Sequence, residues 1–394
     1  MLNLSLKPQG LKKSLRLMAV IVSILMLSAC GSKNMSGDAN YKKKQASINL
    51  FTPVTTESAV ALSETEAKAL IKKYMAYSGG EYLKKLDFAL SQSAAYAAKR
   101  PSDEMAFMRG NLRVKWSDLK RTNQVLRDNM SAIQKSPELL AKKFTWWRLG
   151  PDASFTGYYE PTLNASRTKT KKYYYPIYKM PSDVRKGQGY HDRNAIDRKG
   201  VLKNRGLEIA YVDSEVDAFF LQVQGSGRLL FPDGSYVHAL YAGKNNRKYV
   251  SLGRIMKERG LIPPDQVNMK TIKAYLAKHP DEVAELLDTN PSYVFFREAS
   301  SGPVGAIGRP LTPMMSLASS KDKYPYGSVF FSIVALPDAD GNPTKPFYNI
   351  TLPQDAGGAI KGYRLDLFCG AGDNAAHNAG HIDWTGATYL LLAK

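Results

Sequence analysis

Asp355-Ala356-Gly357-Gly358-Ala359-Ile360-Lys361-Gly362-Tyr363-Arg364-Leu365-Asp366-Leu367-Phe368 is the stretch on which the reading of this chain turns. Asp366 stands between two leucines in a strand-like run, where a carboxylate is costly unless it is paired or used. Period-two alternation puts Arg364, Asp366 and Phe368 on one face, so Asp366 is expected to line a cleft whose other wall is apolar. Leu390–Leu392 is the expected neighbouring strand. Desolvation in such a cleft raises a carboxyl pKa, which suits a general acid working near neutral pH. Asp355 precedes Gly357-Gly358, where missing side chains let a backbone or a ligand approach closely. Two converging carboxylates support each other, the second holding a proton on the first. The alternative on the same residues is that Asp366 pairs with Arg364 or Lys361 while Asp355 caps a turn.

Outward from this stretch, the last hundred residues read as β runs at Gly327–Ala335, Tyr348–Leu352, Gly362–Phe368 and Thr388–Leu392. The same texture begins near residue 155 with Phe155-Thr156-Gly157-Tyr158-Tyr159-Glu160-Pro161. It continues through Tyr173–Met180, Leu207–Val212, Ala218–Val223, Arg228–Phe231 and Ser292–Arg297, punctuated by turns at Gly225-Ser226-Gly227 and Pro232-Asp233-Gly234-Ser235. Helical spacing interrupts it at 251–259, 269–278 and 281–288. Before residue 150 the pattern is helical. Ser63-Glu64-Thr65-Glu66 forms a capping box that opens a helix to Tyr77, and further helices are expected at 81–98, 103–110, 117–133 and 137–143.

Other candidates for chemistry are sparser. Gln224-Gly225-Ser226-Gly227, with Tyr158 and Tyr159, offers the planar amide, hydroxyl and aromatic faces that carbohydrate sites combine, although turns and cores use the same residues. His377 and His381 are four residues apart with Asp373 and Asp383 nearby, but no metalloprotease motif surrounds them. Two cysteines, Cys30 and Cys369, exclude a multi-cysteine zinc site and a disulfide scaffold. No metal and no organic cofactor is expected. Neither a Gly-x-Ser-x-Gly elbow nor a Walker sequence is present. With 394 residues, 44% hydrophobic and 23% charged, the chain is neither disordered nor collagen-like and can fill more than one core. Its formal charge of +20 favours polyanionic surroundings.

The N-terminus points to a compartment. Lys7, Lys12, Lys13 and Arg16 precede an apolar run from Leu17 to Leu27 and then Ser28-Ala29-Cys30. A basic start, a short apolar stretch and small residues make a secretory signal peptide. The placement of Cys30 resembles a bacterial lipoprotein lipobox, which implies cleavage after residue 29 and acylation of Cys30. Gly31 follows in place of the aspartate associated with inner-membrane retention, so the resemblance implies the periplasmic face of the outer membrane. Losing four basic residues and no acid leaves a mature charge of +16. That compartment holds no genomic DNA, so no nucleic-acid partner is expected, and anionic peptidoglycan becomes the expected partner. Residues 30–62 read as a tether. Cys369, left without a disulfide partner, is expected to be a buried small hydrophobe.

These blocks together resemble the membrane-bound lytic murein transglycosylase A family over roughly residues 150–394. The match lies in Phe155–Pro161, in Val223–Gly227 with Tyr241–Asn245, in Asn290–Phe296, and in the three-aspartate signature from Asp355 to Asp366. The resemblance implies a mainly β fold with helices. Its large domain holds N-terminal helices and a double-psi β-barrel, a smaller β domain is inserted, and glycan lies in the groove between them. On this chain that places the large domain at 63–161 and 303–394 and the insert at 162–302. Asp366 maps to the catalytic aspartate and Asp355 to its supporting partner. Tyr158, Gln224, Ser226 and Lys361 are expected to contact glycan or shape the groove. The family's earlier aspartate aligns with Ser320, and Asp322 lies two residues beyond it.

The activity implied is cleavage of the MurNAc–GlcNAc β-1,4 bond of peptidoglycan to leave 1,6-anhydroMurNAc ends, one aspartate serving as acid and then base. The alternatives are a peptidoglycan hydrolase using the aspartate pair and a non-catalytic wall-binding lipoprotein. Expected partners are glycan strands, the outer membrane through the lipid anchor, and cell-wall synthesis proteins; a monomer is expected.

Overall fold

The computed structural model describes residues 50–78 and 80–394. The expected signal peptide, Cys30 and the tether as far as residue 49 lie outside the described residues. Among the described residues no helix is long and apolar enough to cross a membrane.

The strands, in chain order, are β1 (Ser58–Ala61), β2 (Met105–Arg109), β3 (Leu112–Lys115), β4 (Phe144–Glu160), β5 (Thr162–Ser166), β6 (Tyr175–Tyr178), β7 (Glu208–Val212) and β8 (Ser226–Leu230). They continue as β9 (Tyr236–Lys244), β10 (Val294–Ala299), β11 (Ser316–Ser319), β12 (Phe330–Pro337), β13 (Pro343–Asp355), β14 (Arg364–Ala371) and β15 (Asp383–Ala393). One sheet runs β1-β4-β14-β11-β13-β12-β15, and β15 pairs back onto β4. Six strands therefore close into a barrel, with β1 added outside the ring. Two of its pairings, β4 with β14 and β11 with β13, are parallel and the other four are antiparallel. A second sheet, β10-β9-β8-β5-β7-β6, is built entirely from the chain between β4 and β11.

The amino-terminal helices cover one outer face of the barrel. The expected capping box is formed: Ser63 N–H donates to Glu66 Oε2 at 2.8 Å, and Glu66 N–H donates to Ser63 Oγ at 3.3 Å. Helix Glu64–Ser78 buries Ile71 and Tyr74, and helix Glu81–Ala97 buries Leu83, Leu86 and Leu90. Both pack in one core with Phe331, Ile333, Ile350 and Leu352 of β12 and β13. In the second sheet, Leu163, Ile177, Val212, Leu229 and Phe296 form the core under helix Glu215–Gln224.

Three readings need correction. Residues 103–110 are not helical: β2 and β3 form a hairpin in which Arg109 pairs with Leu112 across Gly110-Asn111. Gly110 takes φ +55°, open to a residue without Cβ, and a two-residue Gly-Asn loop is itself a hairpin signal. Ala218–Val223 is not a strand but the body of a helix. Ser214 Oγ accepts the Asp217 N–H at its start, and Gly225 ends it at φ +82°. A short apolar run is ambiguous by period alone, and the two caps decide it. Finally, Leu390–Leu392 does not flank Asp366, because β15 pairs with β12 and β4 while β14 lies between β4 and β11.

Candidate active site

Leu365 and Leu367 are fully buried, so alternation turns Arg364, Asp366 and Phe368 to the opposite face of β14. Cross-strand register then sets a row across four strands. Thr156 of β4 stands beside Asp366, Asp366 beside Ala318 of β11, and Ala318 beside Asp355 at the end of β13. Two strand spacings separate the aspartate backbones, about 10 Å. The expected apolar wall is present: Tyr158, Leu311, Ala318, Ile360 and Phe368 pack together around this row.

Asp366 is half-buried, and its Oδ1 accepts the Thr156 hydroxyl at 2.7 Å. Arg364 does not pair with it directly. Its Nε and Nη2 donate to Thr156 Oγ1 at 3.3 and 3.2 Å, which polarises the hydroxyl toward the carboxylate. Burial pushes the Asp366 carboxyl up to about 6. Thr156 and Arg364 pull against that shift, and the Asp355 charge adds to it. The net result is an acid that keeps a proton close to neutrality.

Asp355 is more heavily engaged. Oδ2 accepts the Tyr158 hydroxyl at 2.8 Å, and Oδ1 accepts the Ala306 and Ala356 N–H groups at 2.9 and 2.8 Å. Desolvation raises its pKa and these three donors oppose the rise. The carboxylate therefore does cap a turn, and its charge when ionised helps to raise the Asp366 carboxyl. Tyr158 is buried, its ring 5.3 Å from that of Phe368, so it positions Asp355 and is not an open sugar platform.

The other expected residues fall around this centre. Gln224 is half-buried at the end of its helix, and its Oε1 accepts the Tyr159 N–H at 3.0 Å, which ties the insert to β4. Ser226 opens β8, half-buried, opposite Leu240. Lys361 is exposed in the turn before β14. Ser320 lies two residues beyond Ala318 and donates its hydroxyl to Asp322. That bond holds the Asp322 carboxyl below its usual range, with Lys323 and Lys361 assisting. Asp355 is the carboxylate whose charge reaches Asp366, while Asp322 is exposed. His377 and His381 place ring nitrogens on the carbonyls of Asp338 and His377, at 2.7 and 2.8 Å. Cys369 is buried, with burial pushing its thiol up.

Sequence reasoning missed three contributors. Thr156 carries no local signal of its own within Phe155–Pro161. Tyr326 is buried beside the Asp355 charge, and its hydroxyl is pushed up to about 12. Tyr249, from the inserted segment, lies within electrostatic reach of Arg364. Gly157 carries a detectable signal: a Cβ there would stand 2.8 Å from Ala379 Cα, so a side chain would push helix Asp373–His381 off β4.

The chain is similar to known proteins in sequence and in fold. Residues 154–297 match the MltA specific insert domain, and residues 315–392 match the 3D domain. Membrane-bound lytic murein transglycosylase A of Vibrio cholerae is 36% identical over 245 residues. That match covers 60% of this chain and 64% of the relative, so the chain spans just under two thirds of the relative's length. The crystal structure of the membrane-bound lytic murein transglycosylase from Agrobacterium tumefaciens superposes with a TM-score of 0.71 at 31% identity, covering 85% of this chain and 98% of the other. The structure of E. coli MltA with bound chitohexaose gives a TM-score of 0.64 at 28% identity, covering 78% and 89%.

Proposed function

The chain belongs to the membrane-bound lytic murein transglycosylase A family, and from that premise we propose that it cleaves the MurNAc–GlcNAc β-1,4 bond of peptidoglycan without consuming water. The observation that carries the reading is Asp366: one half-buried carboxyl, raised to about 6, beside the apolar cluster of Tyr158, Leu311, Ala318, Ile360 and Phe368. Protonated Asp366 donates to the glycosidic oxygen as the C1–O bond breaks, giving GlcNAc its hydroxyl and leaving an oxocarbenium-like MurNAc. The C6 hydroxyl of the same MurNAc then attacks C1, and the Asp366 carboxylate takes its proton. The products are a 1,6-anhydro ring and an acid restored to its starting state. Thr156 and Arg364 stabilise the carboxylate between the two transfers. The chitohexaose bound by the E. coli relative supports a glycan chain as ligand.

The hydrolase alternative needs Asp355 as nucleophile or as base for a water. Three donors already occupy that carboxylate, which disfavours both roles. Mass spectrometry of digested sacculi decides between the readings. The expected fragments each weigh one water less than hydrolytic ones, and reducing MurNAc ends alone would overturn the proposal. Uncleaved strands tightly bound would favour a wall tether.

We place the protein at the outer membrane, held by lipid on Cys30, on the strength of the lipobox and of relatives named membrane-bound. Cys30→Ala is expected to abolish labelling by a clickable fatty acid and to release the protein from the membrane fraction. Normal acylation of that variant would contradict the anchor. The division into 63–161 plus 303–394 and an insert at 162–302 is retained as part of the proposal.

A further inference from the structure

Away from the Asp366 cleft, the inserted sheet holds a cavity of about 300 Å³ between β6, β7, helix Arg193–Asp197 and helix Glu215–Gln224. It shares no lining residue with the cleft. Tyr178 stands opposite Glu208 and Pro176 opposite Tyr211 in the β6–β7 register, and Tyr293 closes another wall. The cavity is therefore rich in phenol rings and charged groups together.

Most of its charges have partners. Arg193 is buried and donates to the carbonyls of Asn290 and Ser292 at 3.1 and 2.8 Å and to Gln222 at 2.8 Å. Arg198 pairs with Glu215 and with Asp288. Four groups differ. Glu208, Lys203 and Lys169 line the cavity and none enters an ion pair among the described residues, although Lys169 Nζ lies 3.7 Å from the centre of the Tyr174 ring. Asp197 accepts a long hydrogen bond from Arg193 Nη1 at 3.4 Å and has the Tyr293 hydroxyl and the Arg198 charge beside it. Burial costs its carboxylate more than these return, and its pKa rises to about 6. A cation entering the cavity would repay that cost.

The Tyr174 and Tyr293 rings already carry Lys169 and Arg193. We propose that this cavity takes the zwitterionic end of a short peptide, its ammonium seated between Asp197, Glu208 and the rings of Tyr175, Tyr178 and Tyr211 and its carboxylate on Lys203. Tyrosine faces attract an ammonium, and a volume at the low end for ligand pockets fits one or two amino-acid residues. The inference rests on the peptidoglycan reading, because the peptide would be the stem carried by a strand lying in the cleft. Tyr249 feels the charges of both Arg364, beside Asp366, and Arg193, in the cavity wall.

The test is isothermal titration of the full-length protein with a sugar-free tripeptide ending in meso-diaminopimelate, and with the same peptide acetylated on its side-chain amine. Acetylation, Glu208→Gln and Lys203→Ala are each expected to weaken binding at least tenfold, with thermal melts confirming that both variants fold. No binding of the free tripeptide, or binding indifferent to all three changes, overturns the inference. The unsubstituted protein is assayed in parallel on glycan strands stripped of peptide. Cleavage without peptide binding would sink this inference alone. Peptide binding without cleavage would support it and sink the enzymatic reading.

Discussion

Asp366→Asn is expected to lower turnover on isolated sacculi toward the upper end of the ~10²–10⁴-fold range of general acid–base catalysis, because one group performs two proton transfers. The amide keeps the shape of the side chain and can still accept the Thr156 hydroxyl, so sacculus binding should persist. Stability gives a second, opposite readout. A carboxyl whose folded pKa is raised above its unfolded value binds its proton more tightly when folded. Its ionised form therefore costs stability, and that cost is fully present above about pH 6. Replacing it with asparagine should leave melting unchanged at pH 4 and raise it at pH 8. An inactive variant that melts higher in alkali is the signature of a group kept for chemistry. A folded variant with near-normal turnover would refute the mechanism. Asp355→Asn should cost less, since it removes a supporting charge and not the transferred proton.

The second large effect is in the pH profile. If free protonated Asp366 is the active form, kcat/KM should be flat below about pH 6 and fall about tenfold per unit above it. That is a loss of about 100-fold by pH 8. Thr156→Val removes a donor that favours the carboxylate, so Asp366 should hold its proton to higher pH and the descending limb should move alkaline. A purely structural role for Thr156 would lower the whole curve and leave the limb in place. An unmoved limb would therefore count against the hydrogen bond as a tuning device.

Much of the site could be read from the chain because alternation carries it. Leu365-Asp366-Leu367 fixes which side chain faces out, and the structure keeps Arg364, Asp366 and Phe368 together. What could not be read was who stands next to whom across strands. Thr156 is 210 positions from Asp366, and only the β4–β14 pairing makes them neighbours. The same limit produced the wrong neighbour at Leu390–Leu392, because apolar pattern marks a strand and leaves its partner open. Local misreadings had another source. The segments 103–110 and 218–223 were judged on period, while their ends held the deciding information, Gly110-Asn111 for a hairpin and Ser214 with Gly225 for a helix. The ring and hydroxyl of Tyr158 suit glycan contact or groove shape, and also a core. Burial, invisible in composition, turned Tyr158 into the donor that orients Asp355.

The closure of β4 against β15 has a consequence for how the chain reaches this state. Leu149 pairs with Thr388 and Leu365 with Phe155, contacts more than two hundred residues apart in sequence. The second sheet assembles from strands that all lie between residues 162 and 299. Loop-closure entropy and contact order both favour the nearer pairings. The insert should acquire protected amides early in refolding, and the barrel ring should close last, with the folded insert shortening the loop it must bridge. Pulse-labelled hydrogen exchange would show protection in β8 and β9 before β4 and β14, and the reverse order would exclude this route. Catalytic competence would then be the final event of folding, because β4 brings Thr156 to Asp366 and Tyr158 to Asp355 only when the ring shuts.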